Sequence, residues 1–490
     1  MSDIADTTYG PIQGKVREDV LLFAGIPYAA APIGSLRFKE AQPHAGWSQV
    51  RQTTRFSPAA PQVVTGGMTN SAPVNWNEDC LYLNVTTPSL DDKKRPVFFW
   101  IHGGGYRTGQ GGIPWYNGAK FARDSDIVVV SINYRMGMLG FTDLTRFGEG
   151  YETSGINGIL DQIKALEWVR DNIANFGGDP DQVTIAGESA GGFSVGTLLG
   201  SPRAQGLFTR AIPQSGAAHH TLPKPSAEKV TDILIKQSGL DSVEAFQNLS
   251  AQDVLSLQVE IDKQVARGAD GLGIGSTVTP FYPAEGNEVL PQSPLTAIEN
   301  GLSRDVDVLI GTNKDEGTLF VTGKSDQTKL EAAAEGYGNK DGLLRAYKSA
   351  YPDATTTDLT TYLSTDHVFR IPCLRLAEAR MQNGSSSNTW MYLFAWESRV
   401  PGLRSTHALE IPFMFNNLDR AGVVAFIGEG DMPQNVADTM HRAWVAFIKK
   451  GNPGWAPYDL DQRLNMVFDT ESKLIADPDK GRREAWQGIR

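Results

Sequence analysis

The sequence predicts a doubly wound α/β fold, a mostly parallel sheet with helices on both faces. Three observations predict it. Val97–Ile101 (VFFWI), Ile127–Ile132 (IVVVSI), Val183–Ala186 (VTIA) and Val306–Ile310 (VDVLI) are short, nearly uninterrupted apolar runs. Such runs suit strands covered on both faces. Helical periodicity falls between them, as alternating strand and helix requires. No internal repeat and no long linker divides the chain, so the expected layout is one domain over residues 1–490.

Each element follows from the local sequence. The first sixty or so residues read as short strands and turns, with segments around Gly10–Gly14 and Phe23–Tyr28 mixing apolar residues with Gly and Pro. After the first two core strands, Ile159, Ile163, Leu166, Val169 and Ile173 recur at spacings of three and four and mark a helix over about 159–176. Gly177-Gly178-Asp179-Pro180 stops it. A small-residue helix follows Ser189 towards Leu199. Residues 220–300 and 320–400 read as mostly helical insertions forming a cap and pocket walls, with a late strand at Trp390–Phe394. A final helix spans about Asn435–Lys449 and stops at Gly451-Asn452-Pro453-Gly454.

Composition narrows the function classes. The 490 residues carry 45 basic and 56 acidic side chains, a net charge of −11. An acidic body without a dense Lys/Arg tract repels nucleic acid, so no nucleic-acid partner is expected. No apolar stretch is long enough to span a membrane, and no leader is visible at the start. Cys80 and Cys373 are too few for a disulfide framework or a structural zinc site.

The chemistry concentrates in two glycine motifs. Gly187-Glu188-Ser189-Ala190-Gly191 has the form G-x-S-x-G between a predicted strand and a predicted helix. A serine there sits on a tight turn with its hydroxyl clear of the sheet and the next backbone N–H free to donate. His102-Gly103-Gly104-Gly105 directly follows VFFWI. Its backbone N–H groups suit a developing oxyanion, and no Lys-Ser or Lys-Thr follows to suggest a phosphate loop. Gly104, Gly105 and Ala190 are the expected donors.

A serine nucleophile needs a base, and the base an orienting carboxylate, in the chain order Ser, acid, His. His219, His220, His367 and His407 lie beyond the serine in loops or insertions, while His441 falls inside the last helix pattern. His407 is favoured over His367, because it stands in a loop before Ile411-Pro412-Phe413. For the acid, Asn313-Lys314-Asp315-Glu316-Gly317 follows a strand, and spacing does not separate Asp315 from Glu316. Trp115, Tyr116, Tyr106 and Phe369 are aromatic candidates for pocket walls, and Arg107 reads as a surface arginine.

With these residues on view, the chain resembles the type-B carboxylesterases, the cholinesterase and bacterial para-nitrobenzyl esterase branch of the α/β-hydrolase fold. The likeness runs through Phe23–Ala29, Leu36-Arg37-Phe38, Glu78–Val85, Ile101–Tyr106, Asn133-Tyr134-Arg135, Phe176–Pro180, Gly187–Gly192, Gln214–Ala217, Asn313–Gly317, His407–Phe413 and Gly451-Asn452-Pro453. The resemblance implies Glu316 as the acid, His407 as the base and Ser215 as a supporting serine near the triad. It implies a cofactor-free serine hydrolase of soluble short-chain or aromatic esters, a monomer or small homo-oligomer. One departure is visible: the cysteine that the family often pairs with the equivalent of Cys80 has no counterpart in Pro58–Gln62. A free Cys80 and a cytoplasmic location are therefore expected. Amidase or thioesterase activity, an interfacial lipase and a non-catalytic adhesion module are the alternatives. The adhesion module fits least, since every catalytic role has a residue to fill it.

Overall fold

The computed structural model describes residues 3–64, 74–266, 279–382, 384 and 386–489. The part of the 220–300 insertion at 267–278 lies outside these residues, as do Met1 and Ser2.

The principal sheet has eleven strands. In chain order they are β1 (Lys15–Arg17), β2 (Val20–Pro27), β3 (Tyr82–Thr87), β4 (Arg95–Ile101), β5 (Val128–Ile132), β6 (Gly178–Glu188), β7 (Arg210–Gln214), β8 (Asp307–Asn313), β9 (Thr389–Phe394), β10 (Leu464–Phe468) and β11 (Lys473–Ala476). Their order across the sheet is β11-β10-β9-β8-β7-β6-β4-β5-β3-β2-β1. Neighbours from β5 through β10 pair parallel, while β11 on one side and β3, β2 and β1 on the other are antiparallel. This is the α/β-hydrolase fold, with the strand order reversing between β4 and β6. Crevices at such reversals, beyond the carboxyl ends of the strands, are where open α/β sheets bind ligands.

The helical layers bury the two sheet faces separately. On one face Val97, Phe99, Ile101, Val128, Val130 and Ile185 pack with α1 (Asn157–Asn172). The predicted stripe Ile159, Ile163, Leu166, Val169 and Ile173 is buried throughout. A 3-10 turn over Ile173–Phe176 follows, and Gly177 ends it at φ 75°, a conformation that costs glycine nothing. On the other face Phe98, Trp100, Ile212, Leu309 and Tyr392 pack with Trp444 and Phe447 of a long helix, Gln434–Lys450. The alternation of Phe99 and Ile101 with Phe98 and Trp100 feeds one strand into both cores. That is why VFFWI shows no polar face.

The second insertion is helical up to Gln382, and β9 after it is a core strand of the sheet rather than part of a cap. Among the described residues no helix is long and apolar enough to cross a membrane. Cys80 and Cys373 are both buried free thiols, and burial pushes both thiols up.

Candidate active site

The site forms where β4 and β6 end side by side. Ile101 pairs with Gly187, so His102 and Glu188 emerge next to one another. Ser189 then turns the chain at φ 58°, ψ −123° into α2 (Ala190–Leu199). This is a left-handed conformation that a non-glycine residue adopts only under constraint. The Ser189 N–H donates to Gln214 O at 3.0 Å and its carbonyl accepts from Phe193 at 2.8 Å, which pins both sides of the turn.

The glycine loop lies against that turn. A Cβ added at Gly103 would stand 2.5 Å from Glu188 O and 3.0 Å from Ser189 Cβ, so only glycine lets the two segments approach. Gly104 (φ 110°) and Gly105 (φ 61°) curl the loop, and Gly104 O accepts from Arg107 and Thr108. The N–H groups of Gly104, Gly105 and Ala190 have no acceptor among the described residues. His102 is buried, with Nδ1 2.8 Å from Gly103 O, and burial lowers its pKa to about 4, so it is a neutral spacer. Its ring stacks on Tyr134, whose hydroxyl donates to His102 O at 2.8 Å.

His407 reaches the same place from the loop after β9. Its Nδ1 lies 2.6 Å from Glu316 Oε2 and its Nε2 3.1 Å from Glu188 Oε1. Glu316 is wholly buried and its other oxygen accepts from Asn313 N at 2.7 Å. The alternatives left open by spacing are thus separated by position. Asp315, beside Glu316, donates its N–H to Ser405 O at 3.1 Å, with no contact to the imidazole among the described residues. His367 stacks on Tyr337 at 4.1 Å, and His441 Nδ1 takes Met414 O at 2.8 Å. His220 stacks on Phe193 at 3.5 Å.

Two buried carboxyls complete the surroundings, and sequence reasoning assigned neither a role. Glu410 accepts from Asn313 Nδ2 at 2.7 Å and from Gln214 Nε2 at 3.0 Å; Gln214 in turn accepts from Trp444. Burial, reinforced by the nearby Glu316, pushes Glu410 up to about 7. Among the described residues Glu188 has no hydrogen-bond donor on either oxygen beyond its approach to His407. Burial pushes its carboxyl well above the usual range, against the pull of His407. Burial also works to lower the His407 pKa, but the charges of Glu188 and Glu316 outweigh it and push the ring up to about 9. Glu188 and His407 are therefore electrostatically coupled, each favouring the charged form of the other. The only signals in the sequence were position: Glu188 directly precedes the serine, and Glu410 follows His407 by three residues.

Other expected residues are distributed unevenly. No hydrogen bond joins Ser189 Oγ to His407 among the described residues. The Ser215 hydroxyl is buried without a partner, though its N–H donates to Gly311 O at 2.8 Å. Of the pocket candidates, Phe369 lies 4.7 Å from the His407 ring and is joined there by Phe320 at 5.1 Å. Tyr106 and Trp115 instead lie fully buried in the two cores, with Ser194 Oγ donating to the Tyr106 hydroxyl and Trp115 Nε1 donating to Ala421 O. Tyr116 is also buried, against Trp100 and Phe415. Arg107 pairs with Asp262 at 3.0 Å.

Comparison with known proteins finds relatives along almost the whole chain. The model of the carboxylesterase family matches residues 1–480. The para-nitrobenzyl esterase of Bacillus subtilis is 36% identical, covering 98% of each chain. The phenmedipham hydrolase of Pseudarthrobacter oxydans is 33% identical over 96% of each. The crystal structure of carboxylesterase EST55 from Geobacillus stearothermophilus superposes with a TM-score of 0.88 at 37% identity, covering 99% of this chain and all of that one.

Proposed function

The chain belongs to the carboxylesterase family and is a carboxylic ester hydrolase; we propose that it works through Ser189, His407 and Glu316 and an acyl-enzyme intermediate. His407 Nε2 takes the proton of Ser189 as its oxygen attacks the ester carbonyl. Glu316, bound to Nδ1, fixes the tautomer and stabilises the imidazolium. The N–H groups of Gly104, Gly105 and Ala190 receive the oxyanion. The alcohol leaves with the proton held by His407, and water attacks the acyl-enzyme by the same route. Ser215, whose hydroxyl makes no hydrogen bond among the described residues, supports the triad from nearby. The observation that carries this reading is the 2.6 Å contact between His407 and Glu316, beside a serine turn and a glycine loop whose N–H groups are unengaged.

The missing Ser189–His407 hydrogen bond is compatible with it, since such bonds often tighten only with substrate bound.

The substrates we propose are soluble short-chain or aromatic esters. Phe369 and Phe320 offer apolar ring faces beside the imidazole, and Phe193 stacks on Phe369. The described residues of the segments 220–300 and 320–400, outside strand β9, supply the proposed pocket walls. The phenmedipham hydrolase among the relatives makes phenmedipham a substrate to include.

The test is a series of para-nitrophenyl esters from acetate to palmitate, with benzoate, at pH 7–8, run with Ser189→Ala. Turnover of the short and aryl members that falls at least a thousandfold in the variant is expected. Undiminished turnover in Ser189→Ala, or none with the parent on any ester, would refute the assignment. Preference for anilides or thioesters would redirect it to the other acyl bonds.

A further inference from the structure

The chain from Thr356 to Gln382 runs as one helical rod: α3 (Thr356–Thr365), a π-helical turn over Asp366–Arg370, and α4 (Ile371–Gln382). In the π turn the Ile371 N–H reaches back to Asp366 O, and the extra residue redirects the side chains around it. Such turns cluster at functional sites. Phe369 is the residue this turn delivers. Its ring lies 4.7 Å from the His407 imidazole, stacks on Phe320 at 5.8 Å, and stacks on Phe193 of α2 at 6.3 Å.

The turn is held from behind by charges. Asp366 accepts from Arg482 Nη1 with both oxygens at 3.0 Å, and from the Tyr347 hydroxyl, which itself accepts from Trp486 Nε1 at 2.7 Å. Arg370 donates through Nε to Asp479 Oδ2 at 2.8 Å, through Nη2 to Asn465 Oδ1 at 2.8 Å, and through Nη1 to Tyr392 O at 3.2 Å. Arg482 closes the ring onto Asp479. All four charged residues are buried. Asp366 thus ties the start of the turn to the helix Lys480–Ala485, and Arg370 ties its end to β9 and β10. Phe369 stands between the two tethers.

Two arginines and two aspartates balance in charge, which lets the cluster persist without water. Stability alone would be served equally by apolar packing. What charge-assisted hydrogen bonds add is a fixed direction, and here they fix a turn whose buried Phe369 ring stands beside His407. Resting on the reading of His407 as the base, we propose that Arg482, Asp479, Asp366 and Arg370 are positioning residues. They orient Phe369 so that its face sets the place of an aromatic acyl group beside His407. The carboxyl-terminal helix is thereby a specificity element of a site to which it contributes no group.

The test is a double-mutant cycle of Arg482→Gln and Phe369→Leu on the full chain. It reads the ratio of kcat/KM for para-nitrophenyl benzoate over acetate. Enzyme is counted by titration with diethyl para-nitrophenyl phosphate, so loss of folded protein does not move the ratio. Each single variant is expected to lower the ratio about tenfold, and the double to fall no further than the lower single. A ratio within twofold of the parent in Arg482→Gln, or single effects that multiply in the double, overturns the proposal. If Arg482→Gln does not fold, Asp479→Asn, which keeps the Arg482–Asp366 pair while weakening the hold on Arg370, is read against the same limits. A parent chain that neither turns over ester nor is labelled by the phosphate strikes the catalytic assignment instead, so the two failures are distinguishable.

Discussion

Replacing Gly103 by alanine probes whether the glycine loop and the serine turn act as one unit. Gly103 has ordinary negative φ, so alanine adds no backbone strain there, only a methyl group. That methyl would stand 2.5 Å from Glu188 O, where ordinary contact begins at 3.4 Å. The loop must therefore retreat by about 0.9 Å from the strand end that carries Ser189. Glu188 O is backbone, so no side chain can swing aside to absorb the shift. Displacing catalytic donors by about 1 Å typically costs on the order of a hundredfold in rate, or about 2.7 kcal/mol of transition-state stabilisation. The expected outcome is a kcat for para-nitrophenyl acetate lowered about a hundredfold, with KM changed less than threefold and a cooperative melt retained. Stopped-flow acylation should slow by the same factor, because the oxyanion forms in that step. A Gly103→Ala enzyme within threefold of the parent kcat would refute the claim that contact between loop and turn sets the oxyanion geometry.

Three further outcomes are expected. Glu188→Gln removes a negative charge 3.1 Å from His407 Nε2, so the imidazole pKa falls from its raised value and the acid limb of the kcat/KM profile moves to lower pH by a unit or more; an unmoved limb would contradict the pairing. Asp161→Asn breaks a buried pair in which Arg135 donates through Nε at 2.8 Å and Nη2 at 2.6 Å, and urea unfolding should show a loss of about 3–5 kcal/mol. Burial acts to raise the Asp479 pKa, but Arg482 and Arg370 outweigh it and hold it at about 2. Its folded pKa lies below the unfolded value, so its stabilisation is in full force above pH 3.8 and is lost as pH falls through about 2. Asp479→Asn should flatten that part of the urea-stability profile by about 2 kcal/mol.

Legibility in the sequence followed burial on both faces. VFFWI, IVVVSI and VDVLI announce themselves because each lies between two helical layers, and their observed ranges differ from the expected ones by one to three residues. Arg210–Gln214 (RAIPQ) was silent, although it lies between β6 and β8 in the middle of the sheet. It is short, begins with a charge and contains Pro213, which has no N–H for the ladder. Tyr82–Thr87, half polar and antiparallel, was equally hidden. In the site, contiguous motifs were readable because a tight turn needs its glycines adjacent. Asp315 and Glu316 were inseparable, because neighbours in a turn differ only in direction. Glu188 and Glu410 matter because they are buried together, and burial is not written in a residue's neighbours. Tyr106 and Trp115 show the converse: an aromatic beside a motif packs a core as readily as it walls a pocket.

The order of strands also bears on when the enzyme becomes active. Ser189 follows β6, Glu316 follows β8 and His407 lies beyond β9, with β7 between the first two. The amino-terminal half can build its own sheet and present a shaped but inert serine turn. On the proposed triad, activity then waits for three successive strands to dock, each on the last, and for the helix Gln434–Lys450 to bring Trp444 onto Gln214. Regain of turnover in refolding should trail the return of helix and sheet signals.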